Sequence, residues 1–393
     1  MGSRRAERAP APARPRLLLL TPDFPPAPGG IQVVADRLAL AMDAFDTLVV
    51  APDAPGAAAF DATRELRVRR VAGGARLRGG RNALLNAAAL RAAASFRPQL
   101  TLSAHIVASP AAALIRRALG ARTAQYFHAE EIGAKPRLAA FAAREADLAI
   151  AVSAYTAQLV AATGASARRL SVIGNGADVP LEQAPLPAER PTILTIARIE
   201  ERYKGHDMIV RALPLVLAKV PDAEWVVIGD GSLRPSLEAL ARGYGVERSI
   251  RFLGAVEDAE RDAWLRRARL LAMPSRLPAG PFAGEGFGIV YLEAGAYGKP
   301  VVAGNVGGAL DAVRDGETGL LVDPRDPLAV AEAISSLLLD DALARRLGAG
   351  GRRRVQEQTW PLVAERVQRQ LLDLLDPTVD PQTGGGRSSI VRR

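Results

Sequence analysis

Glu285 and Glu293 stand eight positions apart in the stretch GEGFGIVYLEAGAYGKPVV (284–302), with Gly286 and Gly288 between them and Gly295 and Gly298 close behind. Carboxylates accept hydrogen bonds from hydroxyls, and glycine lets the main chain approach a ligand without a Cβ in the way. A helix beginning near Phe287 or Gly288 and ending at a Gly298 cap would offer free N–H groups and its dipole to an anion. Acids beside an anion site repel it unless they serve other groups, and sugar or ribose hydroxyls are such groups. Taken alone, an E-x7-E pair is more often a loop acid followed by a solvent-facing helix residue.

The run ARIEERYKGHD (197–207) adds Arg198 and Lys204 after an apolar segment, with Asp207 read as the N-cap of the next helix. Arginine grips a diphosphate in a fork and lysine neutralises it as a point charge. Gly29 and Gly30, in TPDFPPAPGGIQ (21–32), would bring further backbone N–H groups to a helix start. That loop is not G-x-G-x-x-G, so a dinucleotide site is a poor fit, and GKP at 298–300 lacks the rest of a P-loop.

These residues need a frame that brings them together. Short apolar runs at 16–20, 47–51, 148–152, 191–196, 224–229, 269–274 and 300–303 read as buried parallel strands, separated by helical stretches such as 31–42, 207–219 and 233–245. The alternation predicts an α/β fold with helices on both faces of parallel sheets. The polar, proline-rich VPLEQAPLPAERP (179–191) reads as a linker between two Rossmann-like domains, and DPTVDPQTGGGRSSIVRR (376–393) as a disordered tail.

Composition bounds the classes. The chain has 393 residues, 49% hydrophobic and 24% charged, which suits a globular protein of two or three domains. It has no cysteine, which fits a reducing compartment and leaves no disulfide or thiolate metal site. The four leucines after the N-terminal arginines are too short for a signal peptide or a spanning helix. The expected location is cytoplasmic, with a peripheral place on the inner face of the cell membrane left open. Residues 1–180 carry 23 Lys+Arg against 13 Asp+Glu, whereas the remainder is near neutral, so any anionic surface meets the first half.

In their order along the chain, the pieces resemble the nucleotide-sugar glycosyltransferases of family 4, which retain anomeric configuration. They are GGIQ, His128, VSAYT (152–156), NGAD (175–178), Arg198 and Lys204 in R-x5-K, IGDGSL (228–233), FLG-x-V (252–256) and EGFGIVYLEA (285–294). The resemblance implies the GT-B architecture, two Rossmann-like domains facing each other across a cleft. It implies that Arg198 and Lys204 hold the donor diphosphate, that Glu285 binds hydroxyls of the transferred sugar, and that Glu293 binds the ribose. The N–H groups of Phe287, Gly288 and Ile289 would assist, Gly29 and Gly30 would close from the other domain, and His128 would lie by the sugar. Gly229 and Asp230 fall in the matched donor-site motif, and the stretch to Val256 would pack on the base. No metal or other cofactor is expected.

The implied boundaries are a flexible 1–15, an acceptor-binding domain at 16–180, a linker at 181–190 and a nucleotide-sugar domain at 191–357. A final helix, 359–375, would cross back to the first domain, and hinges are expected near 180–190 and 355–360. The loop from Ser275 to Glu285 is ten positions long, longer than is usual in the family. Together with DFPPAPGGIQ, it resembles the phosphatidylinositol mannosyltransferases of actinobacteria. GDP-mannose is thus the first donor expected, and UDP-glucose or UDP-N-acetylglucosamine the second. A GT-B nucleotide-sugar 2-epimerase is the rival reaction. The acceptor is expected to be lipid-linked or a small polar molecule. Arginines in 64–97, among them Arg67, Arg69, Arg70, Arg76, Arg78 and Arg81, are candidates for an anionic membrane surface, with Arg81 to Phe96 as an amphipathic helix. No aromatics interleave with them to stack bases, so no nucleic acid is expected.

Overall fold

The computed structural model describes residues 13–72, 80–278, 284–376 and 378. Arg76 and Arg78, most of the expected tail, residues 1–12 and part of the Ser275–Glu285 loop lie outside the described residues.

Seven parallel strands form the first sheet: β1 (Arg16–Leu20), β2 (Asp46–Pro52), β3 (Arg67–Val71), β4 (Leu100–Ser103), β5 (Arg122–Phe127), β6 (Leu148–Ala151) and β7 (Leu170–Val172), in the order β3-β2-β1-β4-β5-β6-β7. Six more form the second: β8 (Thr192–Ile196), β9 (Glu224–Ile228), β10 (Ile250–Gly254), β11 (Leu270–Met273), β12 (Val301–Gly304) and β13 (Gly319–Val322), in the order β10-β9-β8-β11-β12-β13. Central strands such as RLLLL and LLAM are buried on both faces by helices, which is why they read as unbroken apolar runs. Both orders reverse direction beside their first strand, between β1 and β4 and between β8 and β11. At such switch points the loops leaving the carboxyl ends of the strands diverge and open a crevice. The loops with Gly29–Gly30 and with Arg198–Lys204 leave β1 and β8, at these two places.

The helix Trp360–Leu375 packs on the helix Gly30–Ala41 of the first unit. Its Gln368 accepts from the Ala44 N–H at 2.7 Å and donates to Asp43 at 2.9 Å. Among the described residues no helix is long and apolar enough to cross a membrane.

Two local expectations need correction. The helix His206–Lys219 is capped by Gly205, not by Asp207, whose carboxylate instead receives both Nη atoms of Arg276 at 2.9 and 3.0 Å. Arg67, Arg69 and Arg70 belong to the edge strand β3, ahead of the helix Gly80–Phe96 that holds Arg81. Arg70 is unsuited to a membrane surface. Its guanidinium is tied to Asp61 and to the Pro25 and Pro52 carbonyls, and Arg67 is paired with Asp46.

Candidate active site

The helix Ile289–Ala296 starts where β11 ends. The Tyr291 hydroxyl donates to the Met273 carbonyl at 2.7 Å and pins the first turn to the strand. Gly288 caps this helix with φ +85°, and a Cβ there would lie 2.3 Å from the Tyr291 ring, so only glycine fits. The N–H groups of Gly288 and Ile289 therefore sit at a helix N-terminus on the carboxyl edge of the sheet.

Lys204, at the end of a 3₁₀ turn (Arg202–Lys204) beyond β8, places its Nζ 2.7 Å from Glu285 Oε2. Both side chains are nearly buried, at 16% and 11% exposure, so the charges are little screened. Burial pushes the Glu285 carboxyl up, but the Lys204 ammonium and main-chain N–H groups of Phe287 and Gly286 hold it below the usual carboxylate range. Burial likewise pulls the Lys204 ammonium down, and the Glu285 carboxylate more than offsets it. The pair is ionised at neutral pH: a cation for phosphate oxygens and an acceptor for hydroxyls, side by side.

Arg198 is exposed, with Nη2 2.9 Å from Glu201 and 3.4 Å from Glu130, which belongs to the first unit. Gly229, at φ +129°, lets β9 run on against β8, since a Cβ would stand 2.1 Å from the Ala197 carbonyl, next to Arg198. Asp230 follows it, exposed, accepting from its neighbour Gly231 at 2.8 Å, and Val256 lies half-buried beyond β10. Glu293 is about one turn into its helix and is paired with Arg261.

The first unit meets this edge directly. The Ser153 hydroxyl donates to the Gly286 carbonyl at 2.6 Å, and Phe287 is buried against Gly174. Gly29 caps the helix Gly30–Ala41, and Gly30 faces the Ile289 side chain. His128 opens the helix Ala129–Ala134, buried, its Nε2 3.2 Å from the Ala104 carbonyl, and burial pushes its pKa down, so the ring is neutral. The structure thus gathers Gly30, His128, Arg198, Lys204, Glu285, Phe287, Gly288 and Ile289 around one junction. Glu293, Asp230 and Val256 are set further along the second unit.

Three participants carry no motif in the sequence: Glu130, Glu131 and His105. Glu131 is fully enclosed. It accepts from the His128 N–H at 3.0 Å and the Ile106 N–H at 2.9 Å, and it pairs with His105 Nδ1 at 2.9 Å. The available signal was His105 itself, one of three histidines, just past the short strand β4. Burial lowers the His105 pKa, but the Glu131 carboxylate raises it to a net value above 6.5. Burial raises Glu131, and His105 brings it to a net value below 4.5. His105 thus stabilises the fold below its unfolded pKa and loses this as pH rises through its raised value. Glu131 stabilises above its unfolded pKa and loses this as pH falls through its lowered one. His105→Gln is expected to cost about 2–4 kcal/mol at pH 6 and clearly less at pH 9, because the wild type has then lost the ion pair too. Urea unfolding at the two pH values checks this; equal losses would refute it.

The chain matches the family Glycosyltransferase Family 4 over residues 28–180 and Glycosyl transferases group 1 over residues 181–354. It is 33% identical over 382 residues to the GDP-mannose-dependent alpha-(1-6)-phosphatidylinositol monomannoside mannosyltransferase of Mycobacterium tuberculosis, covering 90% of this chain and 97% of that one. This chain is a family 4 glycosyltransferase. A phosphatidyl-myo-inositol mannosyltransferase of Mycobacterium leprae is 36% identical over 202 residues, 50% of this chain and 52% of its own. Among solved structures, the fold of the transferase is similar to sucrose-phosphate synthase from Thermosynechococcus elongatus, with TM-score 0.77 at 22% identity over 92% of this chain and 99% of that one. It is similar also to Anabaena HepE in complex with UDP and glucose, with TM-score 0.76 at 21% identity over 91% and 99%. The transferase therefore has the GT-B architecture, two Rossmann-like units whose strand ends face each other.

Proposed function

We propose that the transferase moves mannose from GDP-mannose to a phosphatidylinositol-type lipid with retention of anomeric configuration. The observation that carries the chemistry is the Lys204–Glu285 pair, 2.7 Å apart beneath a helix N-terminus at the second switch point. The choice of sugar and lipid is supported by the mycobacterial relative that the chain resembles along nearly its whole length.

In this reading Lys204 and Arg198 hold the diphosphate with the N–H groups of Gly288 and Ile289, and no metal is expected because these groups supply the positive charge. Glu285 accepts from hydroxyls of the mannose, Glu293 from the ribose, and the base rests near Leu253–Val256. Gly29, Gly30 and neutral His128 close on the donor from the first unit, with hinges near 180–190 and 355–360. The acceptor hydroxyl approaches the anomeric carbon from the face that the diphosphate leaves. The new C–O bond forms as the bond to phosphate breaks, and the hydroxyl proton passes to the departing phosphate oxygen. Catalysis is then chiefly positioning and fixed charge. Arg69 and Arg81, both exposed, are proposed to face the anionic membrane that carries the lipid.

The test is thermal stabilisation by GDP, UDP and ADP, without added metal. At 100 times its dissociation constant a nucleotide should add about 2.7 kcal/mol. GDP is expected to give the shift; UDP instead would move the donor to glucose-type sugars, and no response would sink the transferase site as drawn. Release of GDP from GDP-mannose only when lipid is added separates transfer from 2-epimerisation.

A further inference from the structure

Arg261 lies on the helix Asp258–Arg267, which follows the stretch near the base, and its Nη2 is 2.5 Å from Glu293 Oε2. Both side chains are 24% exposed, so the pair is neither in the core nor free in solvent. Its other close carboxylate is Asp262, at 3.8 Å from Nη1. The contact to Glu293 runs from Nη2 to Oε2. A glutamate on a helix has three side-chain torsions, and a guanidinium fixed on a neighbouring helix selects among them before any ligand arrives. An ionised carboxylate has about four acceptor sites, so a single guanidinium leaves it able to accept from a ligand hydroxyl as well.

We propose that Arg261 is a positioning residue for the ribose subsite: it grips Glu293 by Oε2 and leaves the carboxylate aimed for a 2′- or 3′-hydroxyl of the donor nucleotide. The inference rests on Glu293 as the ribose acceptor and adds the group that makes it selective. A second consequence is register, because the same contact joins the helix below the base to the helix that carries the phosphate-binding N–H groups. Base, ribose and diphosphate are then held by two elements that cannot shift independently.

The experiment is calorimetric titration of wild type, Arg261→Met and Arg261→Lys with the nucleoside diphosphate the wild type binds, and with its 2′-deoxy and 3′-deoxy forms. The wild type is expected to prefer the ribonucleotide over at least one deoxy form by about 10- to 150-fold, the range for a hydrogen bond to a charged group. In Arg261→Met that preference should collapse to about threefold or less, with the ribonucleotide losing most of the affinity. Arg261→Lys should fall between the two. A Met variant that loses affinity for ribo- and deoxynucleotides by the same factor would show that the pair only braces two helices, and would overturn the inference. So would a wild type indifferent to either ribose hydroxyl. If the wild type binds none of GDP, UDP and ADP, the nucleotide-sugar reading falls and takes this with it. Binding with an unchanged ratio removes the role of Arg261 alone.

Discussion

Glu285→Gln is expected to lower the rate of transfer by about 10²- to 10³-fold, or about 2.7–4 kcal/mol of transition-state stabilisation. Glutamine keeps the size and one acceptor oxygen, so the fold should survive. What is lost is a fixed negative charge in a nearly dry place, where the sugar ring gains positive character as the bond to phosphate breaks. The same substitution has a second expected consequence, opposite in sign. Lys204 is held at 2.7 Å by Glu285 in the unliganded chain. Once the carboxylate is gone, the ammonium has only the diphosphate as a strong partner, so the affinity for GDP should stay the same or rise. Single-turnover transfer and calorimetry measure the two halves separately. Unchanged turnover would remove Glu285 from the sugar site. A parallel loss of GDP affinity would instead mean that the substitution had damaged the loop.

The parallel sheets and the phosphate-side residues were legible because both leave local signals. Buried parallel strands such as β1, β9 and β11 are continuous apolar runs, and glycines at 29, 30, 286 and 288 mark close backbone approach. Six strands lie outside the expected runs; β10 (IRFLG) carries an arginine, β13 (GLLV) is only four residues long, and the other four break the apolar pattern for physical reasons. β3 (RVRRV) is an edge whose arginines point to solvent or fold back on Asp61, β4 and β5 carry Thr, Ser and Gln, and β7 is three residues long. Ion pairs were illegible because they join residues distant in sequence. Nothing near Glu293 announces Arg261, and nothing near His128 announces that Glu131 is clamped by His105. Asp207 was misread since it stands where an N-cap would, but the left-handed Gly205 already ends the preceding turn and frees the aspartate for Arg276. The functional assignment of each motif came from resemblance across the whole set; the geometry adds which of those residues touch before any ligand binds.

Lys204→Ala tests the most exacting part of the site, because it should harm stability and binding by separable routes. Removing the ammonium leaves the Glu285 carboxylate buried with only main-chain N–H donors, and breaking a buried pair in this way costs about 3–5 kcal/mol. Lys204→Ala/Glu285→Gln should recover most of that loss, since no uncompensated charge remains, and a coupling of about 2–3 kcal/mol is expected from the double-mutant cycle. The pH dependence has a definite sign. In the wild type Lys204 holds the folded Glu285 pKa below its unfolded value of about 4.5. Its contribution is therefore present above that value and lost as the pH falls through the lowered pKa. Without Lys204, burial dominates and lifts the folded pKa above the unfolded one. The carboxyl is then stable when protonated and becomes a liability as the pH rises, so the gap between Lys204→Ala and wild type should narrow from pH 7 to pH 4. Binding follows a different rule. GDP affinity should fall about 10- to 100-fold in Lys204→Ala and should not return in the double variant, because restoring the fold does not restore the cation. If Glu285→Gln rescued both stability and GDP affinity, Lys204 would be a structural counter-ion for Glu285, and the diphosphate would have to be held by Arg198 and the helix N-terminus alone.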